Sequence, residues 1–339
     1  MTDIQGGDTV IVIIEKTGQL GNRLFNFTNF IAFAAETGQT VMNPSFDEYA
    51  PHFETTDNDV FCRYPSRKSS PLISNNPDVR RRLYKLFNTY AIRWIYKLRL
   101  QKWLVPIVHV PDEQIYLLDD NPAARKPFLE KRLTMVAGLN FRDISGIEKH
   151  LDKIREYFKP VAEHRQRVDS VVNKARQGCD VLVGVHIRKG DYETHLGGRY
   201  FYDIDVFKSF IGRIEKLMPD SRVGFLVCSN EEPDPADFAE HTVTFGPGHF
   251  VEDMYSLAAC DYIVGPPSTY TLWASLYGGA KLHFIQNPET DLSLDDFLDY
   301  FSIVGRHSVH TGPDLNQYVE INGEQYWLAF RTEQQFVRI

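Results

Sequence analysis

The sequence predicts an α/β protein of roughly two domains, each built on a parallel sheet, and three observations carry that expectation. The chain has 339 residues, enough for two cores at about 150 residues per domain. Its second half alternates short, continuously apolar runs with helical patterns, which is how strands buried on both faces read. Its opening residues run strand, glycine-bearing turn, helix, strand. Composition agrees, because 43% hydrophobic and 24% charged residues set aside a disordered chain.

From the N-terminus, residues 9–14 form an apolar run that predicts a buried strand, followed by the turn Thr17-Gly18-Gln19-Leu20-Gly21-Asn22. Leu24, Phe27, Phe30, Ile31 and Ala34 then share one face of a helix predicted over 23–36, which Gly38 ends. Residues 40–42 predict a second strand, and 44–79, rich in Pro, Asp, Asn and Ser, read as irregular. Helical patterns follow at 80–102 and 147–158. Pro160 suits the first position of a charged helix reaching about Arg176, which Gly178 stops. That helix reads as a connector, placing domains at 1–175 and 176–300 and a tail at 301–339. In the second domain the runs predict strands at 181–187, 223–228, 242–245, 262–264 and 281–285. Helices are expected at about 205–218, 251–260 and 269–277. In the tail, Asn322-Gly323 between two alternating runs (318–321 and 324–330) predicts a hairpin, because Asn-Gly suits a two-residue turn with positive φ.

Net charge is −8, which argues against general nucleic-acid binding. Cys62, Cys179, Cys228 and Cys260 lie far apart with no C-x-x-C pair, so neither a disulfide framework nor a zinc site is expected, and a reducing compartment fits. Asp3 and Asp8 precede only a short apolar run, unlike a signal peptide. The longest uncharged window, 262–280, contains Pro266-Pro267 and Gly278-Gly279 and does not suit a spanning helix. A soluble, cytoplasmic protein is expected.

The most informative segment is Gly-Val-His-Ile-Arg-Lys-Gly-Asp-Tyr at 184–192. It leaves a buried strand and breaks into a loop holding His186, Arg188, Lys189 and Asp191. Two cations at a strand end suit a phosphate group, since a guanidinium can donate two parallel charge-assisted bonds worth roughly 1.5–3 kcal/mol each. Asp191 can hold that guanidinium in place. For one arginine alone a surface ion pair explains as much, but other strand ends carry further candidates. Ser229-Asn230 follow Cys228, and Ser268-Thr269-Tyr270 enter a helix after Pro266-Pro267, where hydroxyls and N–H groups favour an anion. Asp253 lies near the start of another helix. Simple capping and helix-dipole complementarity account for each of these taken singly.

Together the segments resemble the GDP-fucose-dependent fucosyltransferases: the α-1,2 and α-1,6 enzymes and the protein O-fucosyltransferases. Residues 18–34 look like their G-x-x-G-N-Q block, 184–192 like their H-x-R-x-G-D block, and 252–278 like their third block. The spacing is closest to the α-1,2 group, glycosyltransferase family eleven. Three blocks in order make a strong signal, although 44–175 and the tail are unmatched. The resemblance implies a GT-B-like fold, two Rossmann-like domains facing a cleft, with the C-terminal hairpin appended. The first domain would face the acceptor, a glycan or glycolipid, and the second would bind the GDP-sugar.

By the same resemblance Arg188 would be the catalytic residue, binding the diphosphate as it leaves. His186 and Asp253 would contact guanine, and Ser268 and Thr269 the phosphates, with Asn22 reaching across the cleft. Gly21, Asp191, Ser229, Asn230 and Tyr270 complete the expected donor site. Arg23 stands where Gln is usual, Lys189 where many members carry a second Arg, and Pro267 where the α-1,2 group tends to have Asn. The first of these touches the acceptor side, and the second loses fork geometry. Transfer from GDP-fucose, the co-substrate, is expected with inversion and without a metal or other cofactor, since preorganised cations can stabilise the departing diphosphate. Asp203-Ile204-Asp205 resembles a metal motif but leads into a helix, where a cap explains it. Asp191, Glu193, His195 and Asp203 are candidate bases, and none is singled out. Another nucleotide-sugar donor, or a non-catalytic nucleotide- or glycan-binding protein, fits the same residues. A P-loop enzyme does not, for want of its glycine-lysine segment.

The stretch 80–102 carries eight basic residues and no acidic one, with Trp94 and Tyr96 among them and Trp103 directly after. It reads either as a peripheral contact with anionic lipid or, preferred for a charge run by itself, as a solvated or packed helix face.

Overall fold

The computed structural model describes residues 9–67, 77–86, 90, 92–98, 105–111, 114–118, 122–305, 309–311, 317–321 and 324–328. Asp3, Asp8, Arg99, Lys102, Trp103 and the Asn322-Gly323 turn lie outside them, as do the side chains of Arg93, Tyr96 and His195. The chain divides into two compact units, Met1–Val161 with Arg306–Ile339, and Ala162–Gly305. The division thus falls before the charged helix rather than after residue 175, and the tail from Arg306 onward joins the first unit.

In the first unit β1 (Val10–Ile13), β2 (Thr40–Met42), β3 (Arg63–Tyr64), β4 (Ile107–His109) and β6 (Leu133–Ala137) form one sheet in the order β3-β2-β1-β6-β4. All its pairings are parallel except that of the short edge strand β3. A second sheet joins β5 (Gln114–Leu117) and β7 (Phe141–Arg142) to β13 (Val309–Thr311), β14 (Gln317–Ile321) and β15 (Glu324–Leu328). There β14 and β15 pair antiparallel with Ile321 opposite Glu324, as the hairpin pattern requires, and β15 runs parallel to β5. Helix α1 (Leu20–Thr37) buries Phe27, Phe30, Ile31 and Phe33 completely. The Phe27 ring meets Phe46, Tyr157 and Phe158 edge-on at 5.3–5.7 Å, the geometry that aromatic quadrupoles favour.

The unmatched middle of the chain departs most from expectation. Strands β4 to β7 were not read there, and the irregular 44–79 contains β3. Among its described residues the basic stretch holds the helical segments α2 (Pro77–Leu86) and α3 (Ile92–Lys97). After α4 (Pro122–Leu129), the helix expected at 147–158 is two, α5 (Ile144–Lys149) and α6 (Leu151–Tyr157). They break at His150, whose backbone leaves helical values while its Nε2 meets Glu36 at 3.0 Å. Pro160 bridges to Phe53 instead of opening a helix, which begins two residues later.

The second unit follows its predicted rhythm closely. Strands β8 (Val181–Ile187), β9 (Val223–Ser229), β10 (Val243–Phe245), β11 (Tyr262–Gly265) and β12 (Lys281–Phe284) form an all-parallel sheet in the order β10-β9-β8-β11-β12. Its helices are α7 (Ala162–Ala175), α8 (Ile204–Leu217), α9 (Phe250–Ala258), α10 (Thr269–Gly278) and α11 (Tyr300–Val304). Phe207, Phe210, Ile211 and Ile214 recur at helical spacing on α8 and pack on Val183, Val185, Phe225 and Val227 of the sheet. Helix α7 packs against α9, β9 and β10 of this unit, so it is part of the second core rather than a connector. No helix among the described residues is long and apolar enough to cross a membrane.

Candidate nucleotide site in the second unit

Because all five strands are parallel, their carboxyl ends share one edge. The strand order reverses between β8 and β11, and that reversal is where open α/β sheets bind ligands. A cavity of about 250 Å³ opens there, lined by His186, Arg188, Cys228, Ser229, Asn230, Gly248, His249, Phe250, Asp253 and Tyr270. Six residues of the expected donor site therefore line it: His186, Arg188, Ser229, Asn230, Asp253 and Tyr270.

The loop after β8 is built to aim Arg188. Gly190 adopts φ +61°, a turn that a side chain would strain. Asp191 Oδ2 takes a bond from Arg188 Nη2 at 2.8 Å, and the guanidinium lies 5.5 Å over the Tyr192 ring. The Tyr192 hydroxyl in turn donates to Pro267 O at 2.7 Å. Lys189 is not part of this cation pair. Its Nζ donates to Tyr202 O at 2.7 Å and rests over the Phe201 ring, so Arg188 alone of the two lines the cavity. Asn230 spends its amide on the same loop, Oδ1 accepting from Lys189 N at 2.8 Å and Nδ2 donating to Lys189 O at 3.3 Å.

His186, the last side chain but one of β8, is buried and stacks on Tyr270 with ring centres 4.9 Å apart. Burial, with help from the nearby Arg188 charge, lowers its pKa to about 3, so the ring is neutral. Its Nδ1 is buried without a hydrogen-bond partner among the described residues. Tyr270 is fixed by its hydroxyl, which donates to Phe250 O at 2.6 Å.

Asp253 enters the cavity from the first turn of α9 and is 5% exposed. Oδ1 accepts one bond, from Gly248 N at 3.0 Å. Burial raises its pKa to about 7; that bond opposes the rise and the neighbouring Glu252 charge adds to it. Gly246 makes room for the carboxylate: a Cβ there would lie 2.5 Å from Asp253 Oδ1 and 2.8 Å from Cys228 Sγ.

The remaining expected residues lie elsewhere. Ser268 is the N-cap of α10, its Oγ accepting from Tyr270 N at 3.1 Å, and Thr269 is exposed; neither lines the cavity. Asp203 is the N-cap residue of α8, though its side chain makes no capping bond, and Asp205 pairs with Lys208. Gly21 and Asn22 belong to the first unit and fall inside α1, not in the loop expected before it. Arg23 beside them is committed: Nε donates to Gly18 O at 3.2 Å and Nη1 to Glu48 at 2.8 Å.

Gly248, His249 and Phe250 were not anticipated. His249 caps α9, its Nδ1 accepting from Val251 N at 3.3 Å, and its ring stacks on Phe250 at 4.5 Å. Their signal was present in Gly246-Pro247-Gly248, a glycine-proline loop between a strand and a helix.

No family model and no curated protein matches the sequence. Solved structures do share its fold. A mutant of FUT1 from Arabidopsis thaliana, in complex with GDP, aligns at TM-score 0.52 and 15% identity over 88% of this chain and 75% of that one. Fucosyltransferase NodZ from Bradyrhizobium aligns at TM-score 0.50 and 18% identity over 83% of this chain and 97% of that one. At such identities the likeness is one of architecture, and two α/β units with parallel sheets are what the chain has in common with them.

Proposed function

We propose that this protein is a glycosyltransferase of the fucosyltransferase superfamily, closest to the α-1,2 group, moving L-fucose from GDP-fucose to a hydroxyl of a glycan or glycolipid. The single observation that carries this reading is one cavity at a strand-order reversal that is lined by both a buried carboxylate and a preorganised arginine. Guanine presents two adjacent N–H donors, which a carboxylate accepts together; neither adenine nor uracil offers that pair. Asp253 and the unpartnered His186 Nδ1 suit the base, the His186–Tyr270 stack suits a planar ring, and Arg188 suits the diphosphate.

Chemically, Arg188 acts on the leaving group. Charge accumulates on the diphosphate as the sugar–oxygen bond breaks, and a guanidinium already fixed by Asp191 and Tyr192 meets it without reorganising. Transfer is metal-independent and inverts the sugar carbon in this reading. FUT1 and NodZ share the fold, and the FUT1 structure contains GDP, which supports a guanine nucleotide here. The first unit would serve the acceptor and the second the donor.

A peripheral membrane contact through 80–102 belongs to the same proposal. Leu86, Tyr90, Trp94 and Leu98 are each more than half exposed, beside exposed Arg81, Arg82, Lys85 and Lys97. Apolar anchors among cations suit an anionic lipid surface.

Calorimetry with GDP, ADP and UDP tests the base, and tighter binding of ADP or UDP refutes it. GDP release from GDP-fucose, abolished by Arg188→Ala, tests the enzyme. Binding of the donor without any release across a broad acceptor panel favours a non-catalytic binder instead.

A further inference from the structure

Behind Asp253, on the side of α9 facing α7, sits a second carboxylate that the proposed chemistry does not use. Glu252 is 1% exposed, and a single oxygen of it, Oε1, meets both His164 Nδ1 at 2.8 Å and Arg167 Nη1 at 3.0 Å. A buried carboxylate needs such compensation, because removal of one partner leaves an expensive uncompensated charge. His164 makes a second contact, stacking on His249 with ring centres 4.7 Å apart. His249 caps α9 and lines the cavity. Two α7 side chains thereby hold the first turn of α9 at both the carboxylate and the cap.

We propose that Glu252, fixed by His164 and Arg167, is a positioning residue for nucleotide recognition, governing through its charge how readily Asp253 meets the base as a carboxylate. The inference rests on the reading of Asp253 as the base-recognising group. Adjacent residues on a helix point about 100° apart, so Asp253 enters the cavity while Glu252 stays behind it. The two remain close enough for the Glu252 charge to oppose ionisation of Asp253. Arg167 offsets that charge from α7.

Cys228 on β9 and Tyr270 on α10 have pKa values raised by burial, with Asp253 adding to the effect, and both stay neutral near pH 7. His186 is neutral as well, and burial, then the neighbouring His164, lowers His249 below the ordinary imidazole range.

A structural brace and a charge-setting residue give different signatures. Carbon-detected NMR on aspartate-labelled full-length protein, without ligand, follows the Asp253 carboxyl, assigned by its disappearance in Asp253→Asn. Glu252→Gln should lower the Asp253 midpoint by on the order of one pH unit, and Arg167→Gln, at a half-exposed position that tolerates change, should raise it. Unchanged midpoints, or midpoints moving in the same direction, overturn the proposal. So does a loss of GDP affinity of equal size at every pH from 5 to 9. If wild-type protein binds no GDP at any pH, the nucleotide reading fails by itself, while the ligand-free titration still decides the coupling of Glu252 to Asp253.

Discussion

Asp253→Asn should make the unliganded protein more stable near neutral pH while weakening its grip on GDP. The carboxyl is moved from an ordinary 3.8 to about 7, chiefly by burial. A displacement of roughly three pH units corresponds to about 4 kcal/mol at 1.4 kcal/mol per unit. The sign follows from proton counting. Between pH 4 and 7 the unfolded chain has released this proton and the folded chain has kept it, so ionisation favours unfolding increasingly as pH rises. The contribution is intact below pH 4, declines towards pH 7 and is constant above. Asparagine keeps an oxygen for the Gly248 N–H and carries no charge to bury.

Urea unfolding of wild type and variant at pH 5 and pH 8 isolates this group, since other titrations are common to both proteins. The stability advantage of the variant should be about 2–3 kcal/mol wider at pH 8 than at pH 5. Calorimetry should show wild-type GDP affinity falling by up to tenfold per unit as pH drops below 7, because the bound form needs the ionised carboxylate. The variant should bind at least about 100-fold more weakly at pH 8, having lost a charge-assisted pair of acceptors, with a flat pH profile. An advantage equal at both pH values, or a variant less stable at pH 8, would refute the reasoning.

Other expectations follow from contacts already described. Arg188→Ala should cost on the order of 10²–10³ in GDP-fucose turnover, and Arg188→Lys should recover only part of it because the fork is lost; full activity of either variant in a GDP-release assay counts against the leaving-group role. Gly246→Ala should weaken GDP binding through the 2.5 Å approach to Asp253 Oδ1, and unchanged affinity by calorimetry would show that the loop relaxes freely. Arg80 is 2% exposed and donates to the carbonyls of Thr56, Asp57 and Asp59, so Arg80→Met should lower unfolding free energy by about 2–4 kcal/mol; a change under 1 kcal/mol in urea titration contradicts it. Co-sedimentation with anionic vesicles should disappear when Arg81, Arg82 and Lys85 become Glu, leaving buried Arg80 intact, and persistence of binding ends the membrane proposal. Donor turnover should survive EDTA, and its loss there would point to a metal.

The second unit could be read from the sequence almost strand by strand because each element is short, apolar and bounded by a breaker. The seven residues of β8 and those of β9 are the plainest cases. In the first unit the strands between Met42 and the tail hairpin escape such a reading, and the reason is physical. Strand β6 is Leu-Thr-Met-Val-Ala, a run short enough to pass for a turn or so of buried helix, and β4 and β5, which precede it in the chain, span three and four residues. Strands this short carry little periodicity. Their pairing is decided by distant partners, as when the tail strand β15 lies along β5. The basic run misled differently: Arg80 counts as surface charge in any tally, yet the three carbonyls ending nearby turns draw it inside.

Adjacent residues in the key loop divide the same way, and the sequence alone could not tell them apart. Arg188 and Lys189 are both cations at one strand end, but a strand alternates its side chains, and the loop continues that alternation for one more step. Arg188 follows His186 to the cavity side. Lys189 turns to Tyr202 and the Phe201 ring, and its backbone serves Asn230. One side chain thus lines the cavity while the next fastens the loop that aims it. The same split recurs on α9, where Asp253 faces the cavity and Glu252 is fastened behind it by α7. In both pairs the recognising residue and its anchor are consecutive, so a rigid aim is obtained within one or two peptide units. The two-residue period that hid Lys189 in the motif is what makes Arg188 a fixed cation rather than a mobile one.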